Sequence, residues 1–292
     1  WKHINALREE GYNIESVNKK GYRLAEKPDD ILSSENIAYN LPTEFIGKKV
    51  IHLDTVGSTN DYAKEIGNKV SGGTLIISEQ QTKGKGRLGR VWKSKSGDGI
   101  WMSLIIKPKI EPYKAPFLTL VAGASVVKAL SNLDVEASIK WPNDIIVHNK
   151  KICGILTELS AEMERVNYVV IGIGINIKTI DFPDEIKEKA TSLYKEGYKL
   201  SRVDIVRQFC IEFEKLYKGY ILDGNKQDTL ELCRKYSAII GKQVYVIKNN
   251  KRELVKCIDI NENGNLIVKE KNGEIQEIMS GEVSIRGVKG YV

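Results

Sequence analysis

Stretches with the apolar pattern of β-strands alternate with helical stretches between residues 31 and 235. Several of the strands are separated only by a short turn, such as His148-Asn149-Lys150, whereas parallel neighbours need a crossover of about a dozen residues or more. The pattern therefore predicts a mixed sheet with packed helices, not a purely parallel one. Strands are expected at residues 50–53, 75–78, 100–107, 138–141, 144–148, 151–159 and 168–177, and helices from residue 58 or 59 to 66, at 118–130 and at 203–222.

The two ends of the chain have other patterns. Residues 1–10 have helical spacing, and residues 14–24 read as a hairpin with a basic turn, which together are typical of the back half of a winged helix-turn-helix. Since Trp1 already falls inside the helical pattern, we expect residues upstream of it. After Gly241, short strands at 244–248, 253–259, 266–270, 275–279 and 283–286 predict a small closed barrel of SH3-like type.

The expected architecture is therefore an α+β chain of three units. Residues 1–28 form a partial, truncated winged-helix domain, residues 31–238 a central mixed sheet with helices, and residues 239–292 a C-terminal SH3-like barrel. A charged segment with Pro28 reads as the first linker.

Composition narrows the class of protein. A net charge of +7 over 292 residues permits contact with phosphates without requiring it. The four cysteines, which are widely spaced, predict reduced thiols and a cytoplasmic protein. No signal peptide is expected, and no segment reads as the roughly 18 apolar residues of a membrane span.

The loop Gln81-Thr82-Lys83-Gly84-Lys85-Gly86-Arg87-Leu88-Gly89-Arg90-Val91-Trp92 contains the pattern G-x-G-x-x-G. A dinucleotide site would need a helix directly after these glycines, and no helical periodicity follows them, so we reject that interpretation. What remains is three glycines, four cations and an indole ring. Such a loop can bring backbone N–H groups, guanidinium forks and a stacking face to a ligand that carries phosphate and a ring. By composition alone, a solvated basic loop would be the simpler explanation.

Further motifs occur with the loop, and together they resemble the biotin protein ligases, specifically the bacterial type that is also the biotin operon repressor. They are Ser58-Thr59-Asn60, Lys140-Trp141-Pro142-Asn143-Asp144, Lys151-Ile152-Cys153-Gly154-Ile155-Leu156-Thr157-Glu158 and Gly172-Ile173-Gly174-Ile175-Asn176. The resemblance covers the whole chain and implies a central domain of the class II synthetase-like biotin ligase fold. It also implies formation of biotinyl-5'-AMP from biotin and ATP, then transfer of biotin to a lysine of a biotin carboxyl carrier protein.

Roles at the site follow from the same resemblance. Lys151 is implied to be the principal catalytic cation, with Arg87 and Arg90 holding phosphates. The residues implied to bind biotin are Ser58, Thr59, Asn60, Gln81, Gly84, Lys85, Lys151, Gly172 and Gly174. The residues implied to bind ATP are Arg87, Arg90, Trp92, Lys140, Asn143, Asp144, Asn176 and Arg286. Asn176 is also the candidate contact to Mg²⁺. Trp141 is expected to pack in the core.

One position departs from the family, because Lys85 stands where Arg is common. Lys keeps the charge and loses the bidentate fork. If the residue acts through its backbone amide, little changes; if the guanidinium matters, the adenylate is retained less tightly.

The resemblance also implies partners: the carrier domain of acetyl-CoA carboxylase or a related carboxylase, operator DNA if the N-terminal domain is complete, and a second copy of the chain when biotinyl-AMP is bound. Binding to a membrane is not expected. Candidate DNA contacts are Lys2, Asn5, Lys19 and Lys20. Two alternatives stay open. A lipoate or octanoate ligase shares the catalytic fold, but the loop and the K-W-P-N-D motif favour biotin. A biotin-sensing repressor without catalysis would not need the phosphate-binding cations.

Overall fold

The computed structural model describes residues 1–9, 13–18, 20–26, 30–248, 251–280, 284–288 and 290–292. The α-helices are α1 (Lys2–Glu9), α2 (Ser34–Ala38), α3 (Thr59–Ile66), α4 (Phe117–Ser131), α5 (Arg202–Ile221) and α6 (Gln227–Lys235). The strands of the first two-thirds of the chain are β1 (Asn13–Val17), β2 (Gly21–Glu26), β3 (Val50–Val56), β4 (Leu75–Gln81), β5 (Gly99–Ile106), β6 (Ser138–Lys140), β7 (Asp144–Val147), β8 (Lys150–Ala161) and β9 (Val166–Asn176). The remaining strands are β10 (Gln243–Lys248), β11 (Lys251–Ile260), β12 (Leu266–Lys269), β13 (Ile275–Ile278) and β14 (Ser284–Gly287).

Seven strands form the central sheet in the order β3-β4-β5-β9-β8-β7-β6. Strands β3 and β4 are parallel, and every other pair in this sheet is antiparallel. The mixed sheet predicted from the short turns is therefore confirmed. In its middle, the register aligns Trp101 with Gly174 and Gly154 in one row, and Ser103 with Gly172 and Leu156 in the next.

Helix α4 lies in the core that covers one face of this sheet. Twelve of its residues are buried, and its apolar residues are spread all round the helix, as is typical of a helix buried on every side. The segment Pro112–Ser131 is long and apolar enough to cross a membrane, which corrects the expectation that no segment of the chain comes near that limit. Since 72% of it is buried inside the protein, packing in the core accounts for its composition.

Helices α2 and α6 were not predicted. Helix α2 has only five residues, which is too few for a helical period to be visible. Helix α6 buries only Thr229, Leu230 and Cys233 and is otherwise polar, so its apolar pattern is sparse. The predicted helices and strands are otherwise present, with ends that differ by a few residues.

The C-terminal strands form a five-stranded antiparallel sheet in the order β13-β12-β11-β10-β14. It packs on the central domain within one hydrophobic core, which includes residues of both. The buried indole of Trp141 donates its Nε1 proton to the carbonyl of Gly264, 3.0 Å away, and Arg234 binds Asp259 at 2.8 Å. The expected packing role of Trp141 is confirmed, and the contact crosses between the two domains.

At the N-terminus, α1 precedes an antiparallel hairpin of β1 and β2. Arg8 fastens the helix to the hairpin, since its guanidinium donates to the carbonyl of Ile14 at 2.6 and 2.9 Å. Lys2 and Lys20 are exposed and Asn5 is half-buried. Three expectations lie outside the described residues: the DNA contact at Lys19, the linker at Pro28 and the start of the last strand at Val283.

Candidate active site

A small polar pocket opens where α3 begins. Ser58 caps the helix, and its hydroxyl accepts from the N–H of Asp61 at 3.4 Å. Thr59 and Asn60 form the first turn, and all three side chains are nearly buried, at 3–4% exposure. The sequence placed a helix cap and a polar cluster at this position, and both are present. The pocket holds about 50 Å³ of free space.

A hydrogen-bond network fixes the polar groups of this pocket. Gln81, at the end of β4, accepts from the N–H of Thr59 at 2.8 Å and donates to Ser94 at 2.8 Å. The hydroxyl of Ser103 on β5 lies 2.8 Å from Oγ1 of Thr59 and 2.6 Å from Oδ1 of Asn60, and it can donate its proton to either oxygen. Because these side chains orient one another, they present hydrogen-bonding groups in a fixed arrangement.

Glycines form the floor beside the pocket. A Cβ at Gly172 would collide with Asn60, and a Cβ at Gly174 would lie 2.5 Å from Nε1 of Trp92. A Cβ at Gly154 would lie 2.9 Å from the ring of Trp92. Side chains at these positions would therefore fill the space in which Asn60 and the indole lie. The Nε1 atom of Trp92 is buried and has no hydrogen-bond partner in the part of the chain that the structure describes.

The loop between β4 and β5 covers this floor. No α-helix follows its glycines between β4 and β5, as the sequence predicted; a single 3₁₀ turn, Arg87–Gly89, was not predicted. Gly84 is closely packed, since a Cβ there would lie 3.0 Å from the Ser94 hydroxyl. Lys85 is half-exposed, lines the small pocket and pairs with Asp61 at 2.6 Å.

Arg87 ties the loop to two other parts of the molecule. Its guanidinium donates to Oδ1 of Asn143 at 2.9 Å and to the carbonyl of Ser280 at 2.7 Å. Burial lowers its pKa, while nearby Asp144 acts in the opposite direction. Arg90 is exposed at the mouth of the neighbouring cavity.

That cavity is much larger, with about 640 Å³ of free space, which is in the usual range for small-molecule sites. Its walls bring together residues of four distant segments: the loop, the K-W-P-N-D turn, the segment after β9 and the C-terminal sheet. All eight predicted nucleotide contacts line it: Arg87, Arg90, Trp92, Lys140, Asn143, Asp144, Asn176 and Arg286.

Lys151 lies at the junction, because it lines both the small pocket and the large cavity. Its ammonium pairs with Oδ1 of Asp144 and stands 5.3 Å from the centre of the Trp92 ring. The other carboxylate oxygen of Asp144 accepts from the hydroxyl of Tyr291. Burial opposes ionisation of Asp144, but Lys151 and Tyr291 outweigh it, so the pKa of this carboxyl is lowered.

Lys140 is a second, more deeply buried cation, only 2% exposed. Among the described residues, no hydrogen-bond acceptor contacts its ammonium, which stands 3.3 Å from the centre of the Tyr291 ring. Burial lowers the pKa of Lys140 to about 7, against the opposing charge of Asp144. A buried ammonium without an acceptor, on the wall of an open cavity, is arranged to receive an anion.

Two amides complete this wall. Asn143 donates to the carbonyl of Ile155 at 2.9 Å, and Asn176 donates to that of Thr191 at 3.1 Å. Each amide is thereby oriented: the oxygen of Asn143 accepts from Arg87, and the oxygen of Asn176 is its remaining polar group. Among the described residues, no cluster of His, Cys, Asp and Glu side chains could hold a metal ion by itself.

Several site residues were not found from the sequence. Ser103 is a lone hydroxyl in an apolar strand, and Tyr291 lies far along the chain from its partners. Glu158 is the last residue of the motif that begins at Lys151, and its carboxylate accepts from Asn60 at 2.8 Å and from Lys64 at 2.7 Å. Residues 179–190 supply a whole wall of the large cavity, including Phe182 and Ile186. Their loop has no repeating pattern that could have indicated this position.

The arrangement can hold two ligands end to end. A compact polar group fits the hydrogen-bonding pocket, a phosphate-bearing group fits the cationic cavity, and the Lys151 ammonium lies between them. A cation in that position can stabilise negative charge that develops where the two ligands react.

Comparison with known proteins agrees with this geometry. Residues 53–176 match the model of the biotin/lipoate A/B protein ligase family, and residues 239–286 match that of the biotin protein ligase C terminal domain. The chain is 41% identical to the bifunctional ligase/repressor BirA of Bacillus subtilis, over 98% of this chain and 88% of that protein. It is 29% identical to the protein of the same name from Escherichia coli, over 99% of this chain and 88% of that one.

Among solved structures, the biotin protein ligase of Aquifex aeolicus in complex with biotin and ATP superposes with a TM-score of 0.72 and 32% identity. The match covers 82% of this chain and 99% of that one. With the matched domains, the near full-length relative and the shared site motifs taken together, the chain belongs to the biotin protein ligase family.

Proposed function

We propose that this protein is an ATP-dependent biotin protein ligase. It forms biotinyl-5'-AMP and pyrophosphate from biotin and ATP, and then transfers biotin to a lysine of a biotin carboxyl carrier protein. The observation that carries the proposal is the position of Lys151, whose ammonium lines both the small polar pocket and the large cationic cavity.

The small pocket is the proposed site for the ureido head of biotin. Ser58, Thr59 and Asn60 can both donate and accept hydrogen bonds, as a cyclic urea requires. The glycine floor at Gly172 and Gly174 leaves space for the rings and tail, while Gln81, Gly84 and Lys85 border the carboxylate end. Since about 50 Å³ admits only a few water molecules, Trp92 has to shift when biotin enters.

The large cavity is the proposed site for ATP. Arg87 and Arg90 would bind phosphates from the loop, Lys140 from the sheet, and Arg286 from the C-terminal domain. Asn143, Asp144 and Trp92 border the same space. As the biotin carboxylate oxygen bonds to the α-phosphorus, pyrophosphate leaves with the electron pair of the broken P–O bond. Both reactants are anionic, so Lys151 lowers the barrier by stabilising charge that shifts between them.

Mg²⁺ is proposed to enter with the nucleotide. Mg²⁺ usually keeps waters and is held by substrate phosphates with one or two protein oxygens. The oriented amide oxygen of Asn176 is such a ligand on the cavity wall. When bound, the ion would neutralise phosphate charge; the described residues alone offer no dedicated site.

The experiment is incubation of the protein with biotin, α-labelled ATP and a biotin carboxyl carrier fragment. We expect labelled biotinyl-AMP without the fragment, and a biotinylated lysine with it. Absence of both products would refute catalysis and leave a biotin-sensing repressor. Equal or better use of lipoate or octanoate would favour the related ligase activity, which the same family model includes.

A second role is proposed for the N-terminal unit. The relatives from Bacillus subtilis and Escherichia coli are named ligase/repressor, and α1 with its hairpin has the order of the end of a winged helix. Lys2, Asn5, Lys19 and Lys20 are the proposed contacts to operator DNA. Binding would require a homodimer that biotinyl-AMP favours. If operator DNA binds equally with and without biotin plus ATP, the proposed control of binding by biotinyl-AMP is wrong.

The domain limits 1–28, 31–238 and 239–292, the SH3-like character of the C-terminal sheet and the cytoplasmic location are retained as proposals. The acceptor is the carrier domain of acetyl-CoA carboxylase or of a related carboxylase. A biotinylation assay with purified carrier domains identifies it.

A further inference from the structure

Glu158 on β8 contacts Asn60, one of the polar residues that line the small pocket. Its Oε2 accepts from Nδ2 of Asn60 at 2.8 Å, and its Oε1 accepts from the ammonium of Lys64 at 2.7 Å. Both partners lie on α3, so the carboxylate joins this helix to the sheet. The proposed function gives Asn60 a role in binding, and the contact with Glu158 decides what that role can be.

The side-chain amide of Asn60 has one orientation in this network. Its Nδ2 donates both protons, one to Glu158 and one to the carbonyl of Leu156 at 3.3 Å. A carboxylate and a carbonyl can only accept hydrogen bonds, so the amide oxygen could not take the place of Nδ2. The oxygen, Oδ1, lies instead 2.6 Å from the hydroxyl of Ser103. Because both protons are used, Asn60 can offer a ligand only a lone pair of Oδ1.

Close packing keeps this amide against the sheet. A Cβ at Gly172 would collide with Oδ1 of Asn60 and would lie 2.8 Å from its Cγ, so the amide rests on the backbone of β9. Asn60 is only 4% exposed. A buried acceptor that meets no donor costs free energy. A ligand whose head group has no N–H or O–H is therefore disfavoured at this position.

We propose that Glu158 determines the specificity of the small pocket by holding Asn60 as a hydrogen-bond acceptor for an N–H group of the ureido ring. The inference rests on the proposed ligase function, which places the ureido head of biotin in this pocket. Glu158 acts through Asn60 and is a positioning residue. Its replacement should therefore weaken the binding of biotin and leave the reaction of bound biotin nearly unchanged.

Glu158→Gln changes the hydrogen bonds offered to Asn60 with little change of shape. The new amide has one accepting and one donating end, whereas the carboxylate accepts at both. The charged Lys64 should take the accepting end, so the donating end faces Asn60 and turns its amide round. In adenylate formation, we expect the KM for biotin to rise about 10- to 100-fold, with kcat changed less than about twofold.

Lys64→Met is the matched control, because it breaks the same ion pair between α3 and β8 and keeps the bond from Asn60 to Glu158. It should change the KM for biotin less than about twofold. In Lys64→Met/Glu158→Gln no ammonium competes for the new amide oxygen, which can again accept from Asn60. The KM should then return most of the way to the wild-type value. A purely structural ion pair predicts the same loss in all three variants, and that result would overturn the inference.

Biotin analogues test the group that Asn60 receives. Two are needed, each with one ureido N–H replaced by CH2, and their dissociation constants are measured by calorimetry. The wild-type protein and Lys64→Met should bind at least one of them about tenfold or more weakly than biotin. For one analogue, Glu158→Gln should reduce this ratio to about three or less. An undiminished ratio in Glu158→Gln, or no discrimination in the wild-type protein, would overturn the inference. A wild-type protein that neither binds biotin nor forms its adenylate would overturn the ligase function as well.

Discussion

At the scale of single residues, Lys151 has the most demanding position. Lys151→Ala should lower the rate of adenylate formation about 10²- to 10³-fold, because it removes the charge that stabilises the α-phosphate as the adenylyl group is transferred. Biotin affinity, measured by calorimetry, should fall much less. Lys150→Ala is the control, since neighbouring residues of a strand face opposite sides. Equal losses of rate and affinity in Lys151→Ala would contradict the assigned role.

Lys140 allows a test by proton linkage. Its pKa is lowered to about 7 by burial, so at pH 8 the side chain is mostly neutral in the free protein. A bound phosphate favours the charged form and raises this pKa. Binding of ATP without biotin should therefore take up a proton at pH 8, and much less at pH 6, where the ammonium is already charged.

Calorimetry in buffers of different ionisation enthalpy measures this uptake. Lys140→Met should abolish it and weaken ATP binding at pH 6 more than at pH 8. Uptake that is the same in Lys140→Met would show that another group takes the proton.

Single residues also show how far the sequence could lead. Motif residues such as Lys151, Asn143 and Gly174 could be predicted to share one site because each lies in a short pattern of neighbours, and the folded chain brings them to the same two pockets. Tyr291 was not found, since it meets Asp144 only through folding, 147 positions along the chain. Ser103 was hidden because nothing in an apolar strand distinguishes a hydroxyl that faces a ligand from one that faces the core.

At the scale of elements, the structure adds most to the interpretation of the loop from Gln81 to Trp92. In this structure the Lys85 side chain pairs with Asp61 on α3, and Lys85 lines the small pocket and not the large cavity. With exposed fractions of 49% and 36%, such a pair contributes at most about 1 kcal/mol. The loop is therefore held mainly by its other contacts.

It follows that Lys85→Arg should change the release rate of biotinyl-AMP by less than about twofold, and Lys85→Ala by no more than about fivefold. Release can be followed by trapping the free adenylate. Lys83→Ala, in the same loop, provides the baseline. If Lys85→Arg slows release tenfold or more, the guanidinium has a direct role that the lysine lacks.

Movement of this loop should be visible in fluorescence. Trp92 covers the glycine floor, whereas Trp101 and Trp141 are fixed in the core at 1% exposure. Because biotin needs the space beneath the indole, its binding should change the emission of Trp92. Trp92→Phe should lose the response and Trp1→Phe should keep it. A response that survives in Trp92→Phe would place the change elsewhere.

At the scale of the whole molecule, the site depends on how the C-terminal sheet sits on the central domain. Three hydrogen bonds cross between the two units: Arg87 donates to Ser280, Tyr291 to Asp144, and Trp141 to Gly264. The sequence predicted the two units and their strands, since each pattern is local. It did not predict this interface, because the contacting residues have no shared period.

Substitution of Gly264 tests whether ATP binding and catalysis depend on the contact between the C-terminal sheet and the central domain. It has a φ of +83°, and a Cβ there would collide with Leu120 on α4 and lie 3.1 Å from Phe117. Gly273 lies in the next turn of the C-terminal unit, between β12 and β13, and has a φ of +94° with none of the described residues within 4 Å of the Cβ position, apart from its chain neighbours. Alanine at either position adds backbone strain of roughly 1–3 kcal/mol, but only Gly264→Ala also pushes the sheet away from the central domain.

We therefore expect Gly264→Ala to lower the free energy of unfolding more than Gly273→Ala does, as measured in urea. It should also weaken ATP binding under conditions in which both variants are fully folded, because Arg286 and Tyr291, which line the large cavity, move with the sheet. Gly273→Ala should keep wild-type kinetics. If both variants lose the same stability and neither loses activity, the position of the C-terminal sheet is not what completes the site.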